Sequence, residues 1–116
     1  MQQKAFQVVE DLKIYKIWSS IGATVNLVGS LKMGLLVNHR DIDFHVYTNP
    51  FILEDSFSVV SQMAGNGRVQ SINYINRLEM PDKCIEWHLF YDDSSGDSWQ
   101  IDIIHILTDS PLRWIF

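Results

Sequence analysis

The sequence is short of cysteine, proline, glycine and positive charge. Its one cysteine, Cys84, excludes an internal disulfide, and a reducing compartment, the cytoplasm, is the expected location. No apolar run is long enough for a bilayer-crossing helix, and the opening M-Q-Q-K-A-F-Q has no apolar stretch of the signal-peptide kind. Nine Lys and Arg face fourteen Asp and Glu, a formal net charge of −5. That disfavours broad contact with nucleic acid, which normally uses a basic face, but it leaves room for a nucleotide held through a divalent cation. Three prolines and six glycines leave long stretches free for regular structure. With 47% hydrophobic, 12% aromatic and 20% charged residues in 116, the composition is that of a globular chain rather than a disordered one, and one domain over 1–116 is expected.

Taken in order, residues 2 to about 20 have helical spacing, with Phe6, Val9, Lys13 and Ile17 on one stripe and Val8, Leu12 and Tyr15 beside it. Ala23 to Val28 is a predicted strand ended by Gly29-Ser30. Residues 31–38 fit either a helical turn or two, or a loop. Asp41 to Thr48 alternates cleanly: Ile42, Phe44 and Val46 on one face, Asp41, Asp43, His45 and Tyr47 on the other. A second helix is predicted over 51–64, with Phe51, Leu53, Phe57, Val60 and Met63 towards the core. Strands over 68–78 and 84–91 form a hairpin. The acids of D-D-S-S-G-D at 92–97 are expected in solvent. Trp99 to Leu107, apolar on both faces, is predicted to be a central strand covered on both sides.

Three acids carry the chemistry. Strand geometry sets Asp41 and Asp43 on one face, roughly 7 Å apart along the backbone. Two such like charges repel unless a cation neutralises them, and hard oxygen donors suit Mg²⁺ or Mn²⁺. Asp102 interrupts the apolar run W-Q-I-D-I-I-H-I. Buried there, its carboxylate needs a partner: a cation shared with Asp41 and Asp43, or a salt bridge to Arg40 or Arg77. The Gly29-Ser30 strand end offers close backbone approach and a hydroxyl for phosphate oxygens. Arg40 and Lys32 are further candidate phosphate contacts. His45 shares the face of the two acids; His88 and His105 are expected to be structural.

The pattern Val28-Gly29-Ser30, a ten-residue spacer, Asp41-Ile42-Asp43 and a lone later Asp resembles the nucleotidyltransferase superfamily. The resemblance implies an α+β fold, a mixed β-sheet of about five strands flanked by helices. It implies transfer of a nucleoside monophosphate from an NTP to a hydroxyl-type acceptor. Gly29 and Ser30 would then contact the triphosphate, with Lys32 and Arg40 as the candidates named above beside them, and Asp41, Asp43 and Asp102 would bind Mg²⁺ or Mn²⁺ and act in catalysis. Members of that family continue past the third acid with further helices, so the chain is expected to lack those. Its apolar end, P-L-R-W-I-F, is a possible homodimer contact. The alternative is a non-catalytic binding or regulatory module of the same fold, such as a toxin-antitoxin partner.

Overall fold

In a computed structural model, which describes residues 2–29 and 40–107, the chain folds as helices α1 (Gln2–Leu12) and α2 (Ile14–Ser19), strands β1 (Thr24–Val28) and β2 (Asp41–Tyr47), helix α3 (Leu53–Ala64), and strands β3 (Val69–Asn76), β4 (Cys84–Asp92) and β5 (Ser98–Ile106). The strands form one sheet in the order β1-β2-β5-β4-β3. β5 runs parallel to β2, and every other pair is antiparallel. The architecture is therefore the α+β mixed sheet of five strands that the sequence implied.

All three helices pack on one face of the sheet. Tyr15 meets Phe44 edge-on at 5.8 Å between ring centroids, Trp18 meets His105 at 5.2 Å, and the Trp87 indole donates to Ser56 Oγ at 2.8 Å. This face carries Ile42, Phe44 and Val46 of β2, Ile85 and Leu89 of β4, and Ile101 and Ile103 of β5, none with any exposed surface. Each such side chain contributes about 2 kcal/mol of burial.

Four expectations need correction. The first helix is two. Lys13 adopts a left-handed φ of 55° and divides α1 from α2. Ala5, Val8, Val9 and Leu12 bury one stripe, and an unbroken helix would continue it through Tyr15 and Lys16. The break shifts the phase, so Ile14 and Trp18 are buried while Tyr15 and Phe6 are exposed. In α3, Val59, Val60, Met63 and Ser56 point inward, and Phe57 is exposed beside Tyr74 and Trp87. β5 is central, but only its Trp99, Ile101, Ile103 and His105 face is fully buried; Gln100, Asp102 and Ile104 opposite are part-exposed. The acids of the 92–97 turn do not simply face solvent. Asp93 accepts the Trp99 indole N–H at 2.9 Å and the backbone N–H of Ser95 and Asp97, and Asp97 pairs with Lys4 and Arg40.

The core contains one buried polar chain. His105 contacts Ser56 Oγ through Nδ1 at 2.9 Å and Thr48 Oγ1 through Nε2 at 2.8 Å. Ser56 Oγ also accepts the Trp87 indole N–H, so one hydroxyl joins helix α3 to both β4 and β5, and both ring nitrogens of His105 have a hydroxyl partner. The structural role expected for His105 is what the structure shows. Burial pushes its pKa from 6.5 down to about 4. A histidine whose folded pKa is depressed stabilises the fold fully above its unfolded value, and that stability is lost as pH falls from 6.5 towards 4. The loss is on the order of 3 kcal/mol. Urea unfolding followed across this window should show falling stability, and His105→Gln should flatten the decline.

Candidate active site

The sheet face opposite the helices holds the three acids. Period-two alternation sends Ile42, Phe44 and Val46 into the core and leaves Asp41, Asp43 and His45 part-exposed on the other side. The same alternation in β5 puts Gln100, Asp102 and Ile104 on that face. Strand register then decides who meets whom. Asp43 lies directly opposite Asp102 on the parallel neighbour, and Asp41 lies opposite Gln100. Neighbouring strands are about 4.8 Å apart, so the Asp43 and Asp102 carboxylates rise side by side. One row crosses the whole sheet: Val28, Asp43, Asp102, His88 and Asn73.

Gly29 closes over this row. It follows Val28, the register partner of Asp43, and has φ +76°. A Cβ built on Gly29 would stand 3.0 Å from Asp43 Oδ2. Only glycine suits both the backbone conformation and the approach of the carboxylate. Ser30 and Lys32 lie outside the described residues, as do residues 31–38 and the apolar end proposed as a dimer contact.

Among the described residues, Asp102 is not bridged to an arginine. Its Oδ1 accepts from His88 Nδ1 at 2.5 Å and from Gln100 Nε2 at 2.8 Å. The other ring nitrogen of His88 meets Glu86 Oε1 at 3.1 Å. Burial alone would lower the His88 pKa, but the hydrogen bonds and negative charges of Asp102 and Glu86 outweigh it, and the pKa is raised. Burial lowers the pKa of His45. Arg40 turns to Asp97 at 3.3 Å rather than to the acids, while its backbone carbonyl accepts from Gln100 N–H at 2.9 Å.

Asp82, Cys84 and Glu86 bring their donor atoms within 4.8 Å of one another. Arg77 already supplies the positive charge there, with Nε 2.7 Å from Asp82 and 3.2 Å from Glu86. Burial, then Asp82 and Glu86, pushes the Cys84 thiol up to about 11, so it stays protonated. This cluster is an ion-pair network and a poor cation site.

The sequence alone suggested only a structural role for His88 and singled out neither Glu86 nor Gln100. Alternation along β4 does place Cys84, Glu86 and His88 on one face, but the cross-strand pairing that joins His88 to Asp102 is not a local property.

No family model and no curated protein matches the chain. Solved structures do. A cytoplasmic RNA terminal U-transferase aligns over 90% of this chain and 30% of its own, at 18% identity and TM-score 0.64. The non-canonical poly(A) polymerase complex GLD-2–GLD-3 aligns over 91% of this chain and 34% of its own, at 18% identity and TM-score 0.66. A Cid1 poly(U) polymerase variant bound to MgATP aligns over 90% and 32%, at 16% identity and TM-score 0.67. The fold is thus that of nucleotidyltransferases, and the chain spans about a third of the length of the structures it matches.

The Gly29 contact is testable. Gly29→Ala should cost about 1–2 kcal/mol in urea unfolding, from the left-handed backbone and the pressure on Asp43. Combining it with Asp43→Ala should return the part owed to that pressure, leaving a non-zero coupling in the double-mutant cycle.

Proposed function

We propose that this chain is the metal- and triphosphate-binding part of a nucleotidyltransferase, transferring a nucleoside monophosphate from an NTP to a hydroxyl. The observation that carries this is the register of β2 with β5, which sets Asp43 beside Asp102 under Gly29. The donor set fits Mg²⁺ or Mn²⁺: hard carboxylate oxygens from Asp41, Asp43 and Asp102 on one part-exposed face. A cation bound there would neutralise the triphosphate and the departing pyrophosphate.

The chain's own groups divide the remaining tasks. Gly29 lets the backbone at the strand end come close to the acids, where its peptide groups suit a phosphate oxygen, and Ser30 and Lys32 are the further candidate phosphate contacts. Asp102 keeps Oδ1 on His88 and Gln100, so Oδ2 is the oxygen to take the proton of the attacking hydroxyl. As that hydroxyl oxygen bonds to the α-phosphorus, the bond from the α-phosphorus to the bridging oxygen breaks and pyrophosphate leaves. Arg40, held by Asp97, takes the lesser part of placing Gln100 through its carbonyl.

The acceptor we favour is an RNA 3′ hydroxyl, because the matched structures are RNA terminal transferases and poly(A) or poly(U) polymerases. The acidic composition argued the other way. It measures net charge over the whole surface, whereas a single 3′ end needs only a local contact. A cytoplasmic location accords with the single unpaired cysteine and with the cytoplasmic U-transferase. No helix among the described residues is long and apolar enough to cross a membrane.

The test uses labelled UTP and ATP, a short RNA, and Mn²⁺ or Mg²⁺. We expect NTP binding that depends on the metal, with pyrophosphate released as the RNA is extended. Asp43→Asn and Asp102→Asn should each reduce turnover at least 100-fold, a loss on the order of 3 kcal/mol in transition-state stabilisation, while the variants melt as folded proteins. NTP binding that is indifferent to metal and to both substitutions would overturn the reading.

A further inference from the structure

Asp102 is held in place from the next strand. His88 stands directly opposite it in the antiparallel β4–β5 register, and its Nδ1–H donates to Asp102 Oδ1 at 2.5 Å. The far side of the ring is braced as well: Nε2 lies 3.1 Å from Glu86 Oε1, two residues earlier on the same strand face. Glu86 is anchored in turn, its Oε2 lying 3.2 Å from Arg77 Nε, which also binds Asp82 at 2.7 Å. The chain Asp82–Arg77–Glu86–His88–Asp102 thus runs unbroken from the β3–β4 turn to the third acid. Gln100 Nε2 meets the same Oδ1 at 2.8 Å from within β5.

Two donors on one oxygen fix the rotation of the carboxylate. A free aspartate swings about χ2 with little restraint, and each swing moves both oxygens together. A ring clamped at both nitrogens cannot follow such a swing. We propose that His88, braced by Glu86, is a positioning residue for nucleotidyl transfer: it holds Oδ1 so that Oδ2 of Asp102 stays aimed at the space it shares with Asp43. The inference rests on the proposed metal site, and it adds a residue outside the acid pattern. Groups behind metal-ligating carboxylates typically carry 10–100-fold in metal affinity.

The experiment titrates the whole 116-residue chain with Mn²⁺ alone, following free Mn²⁺ by electron paramagnetic resonance, with thermal melts as a check on folding. Asp102→Asn tests the site itself, and should weaken Mn²⁺ binding. His88→Ala should weaken it about tenfold or more. His88→Asn, whose amide N–H sits where Nδ1–H sits, should keep affinity within about threefold. Glu86→Gln should fall between. A merely structural histidine would lower the melting temperature in both His88 variants without separating their Mn²⁺ affinities. If Asp102→Asn weakens binding and His88→Ala does not, the positioning role is overturned while the site stands. If His88→Ala tightens binding, the histidine competes with the cation and the proposal is likewise overturned. If Asp102→Asn changes nothing, the metal site fails first, and the positioning role fails with it.

Discussion

Everything on the site face depends on how β5 is seated between β2 and β4. Ile101, Ile103 and His105 are wholly buried against the helices, and so are Ile42, Phe44 and Val46 on the parallel neighbour. Side chains alternate with period two, so a slip of one residue would turn all of β5 over. It would put Asp102 into the helical core and two isoleucines into solvent, several kcal/mol uphill. The apolar face therefore enforces the position of the acids. Burial on one side of the sheet places charge on the other.

The same logic explains the tolerance of crowded negative charge. Asp41, Asp43, Asp102 and Glu86 share one sheet face. Repulsion among them is offset locally rather than globally: His88 lies between Glu86 and Asp102, and Arg77 between Glu86 and Asp82. The two arginines that might have neutralised Asp102 are spent elsewhere, Arg77 on the β3–β4 turn and Arg40 on Asp97. Asp102 is left with Oδ1 held by His88 and Gln100, on the strand whose register sets it opposite Asp43.

Much of this was legible in the residues. The alternation D-I-D-F-H-V-Y specified β2 and its faces without ambiguity, and the Gly-Ser strand end with a ten-residue spacer pointed to the fold. Local patterns were weaker where phase changes. Nothing in E-D-L-K-I-Y announces the left-handed Lys13, because the break is driven by burying Ile14 and Trp18 against the sheet. The apolar residues on both faces of β5 suggested two-sided cover, whereas Ile104 and Ile106 form a small cluster with Tyr47 and Cys84 on the site face. The His88–Asp102 contact was out of reach for a different reason. It joins residues on separate strands through register, and register is a property of the assembled sheet.

The central claim is that Asp43 and Asp102 share one divalent cation. The most direct measurement is an anomalous-difference map from a crystal of this chain soaked in Mn²⁺ and a non-hydrolysable NTP. The account predicts a peak within coordination distance of both carboxylates, on the side where Gly29 approaches Asp43. A peak only at Asp82, Cys84 and Glu86, or none near Asp43 with nucleotide bound, would contradict it.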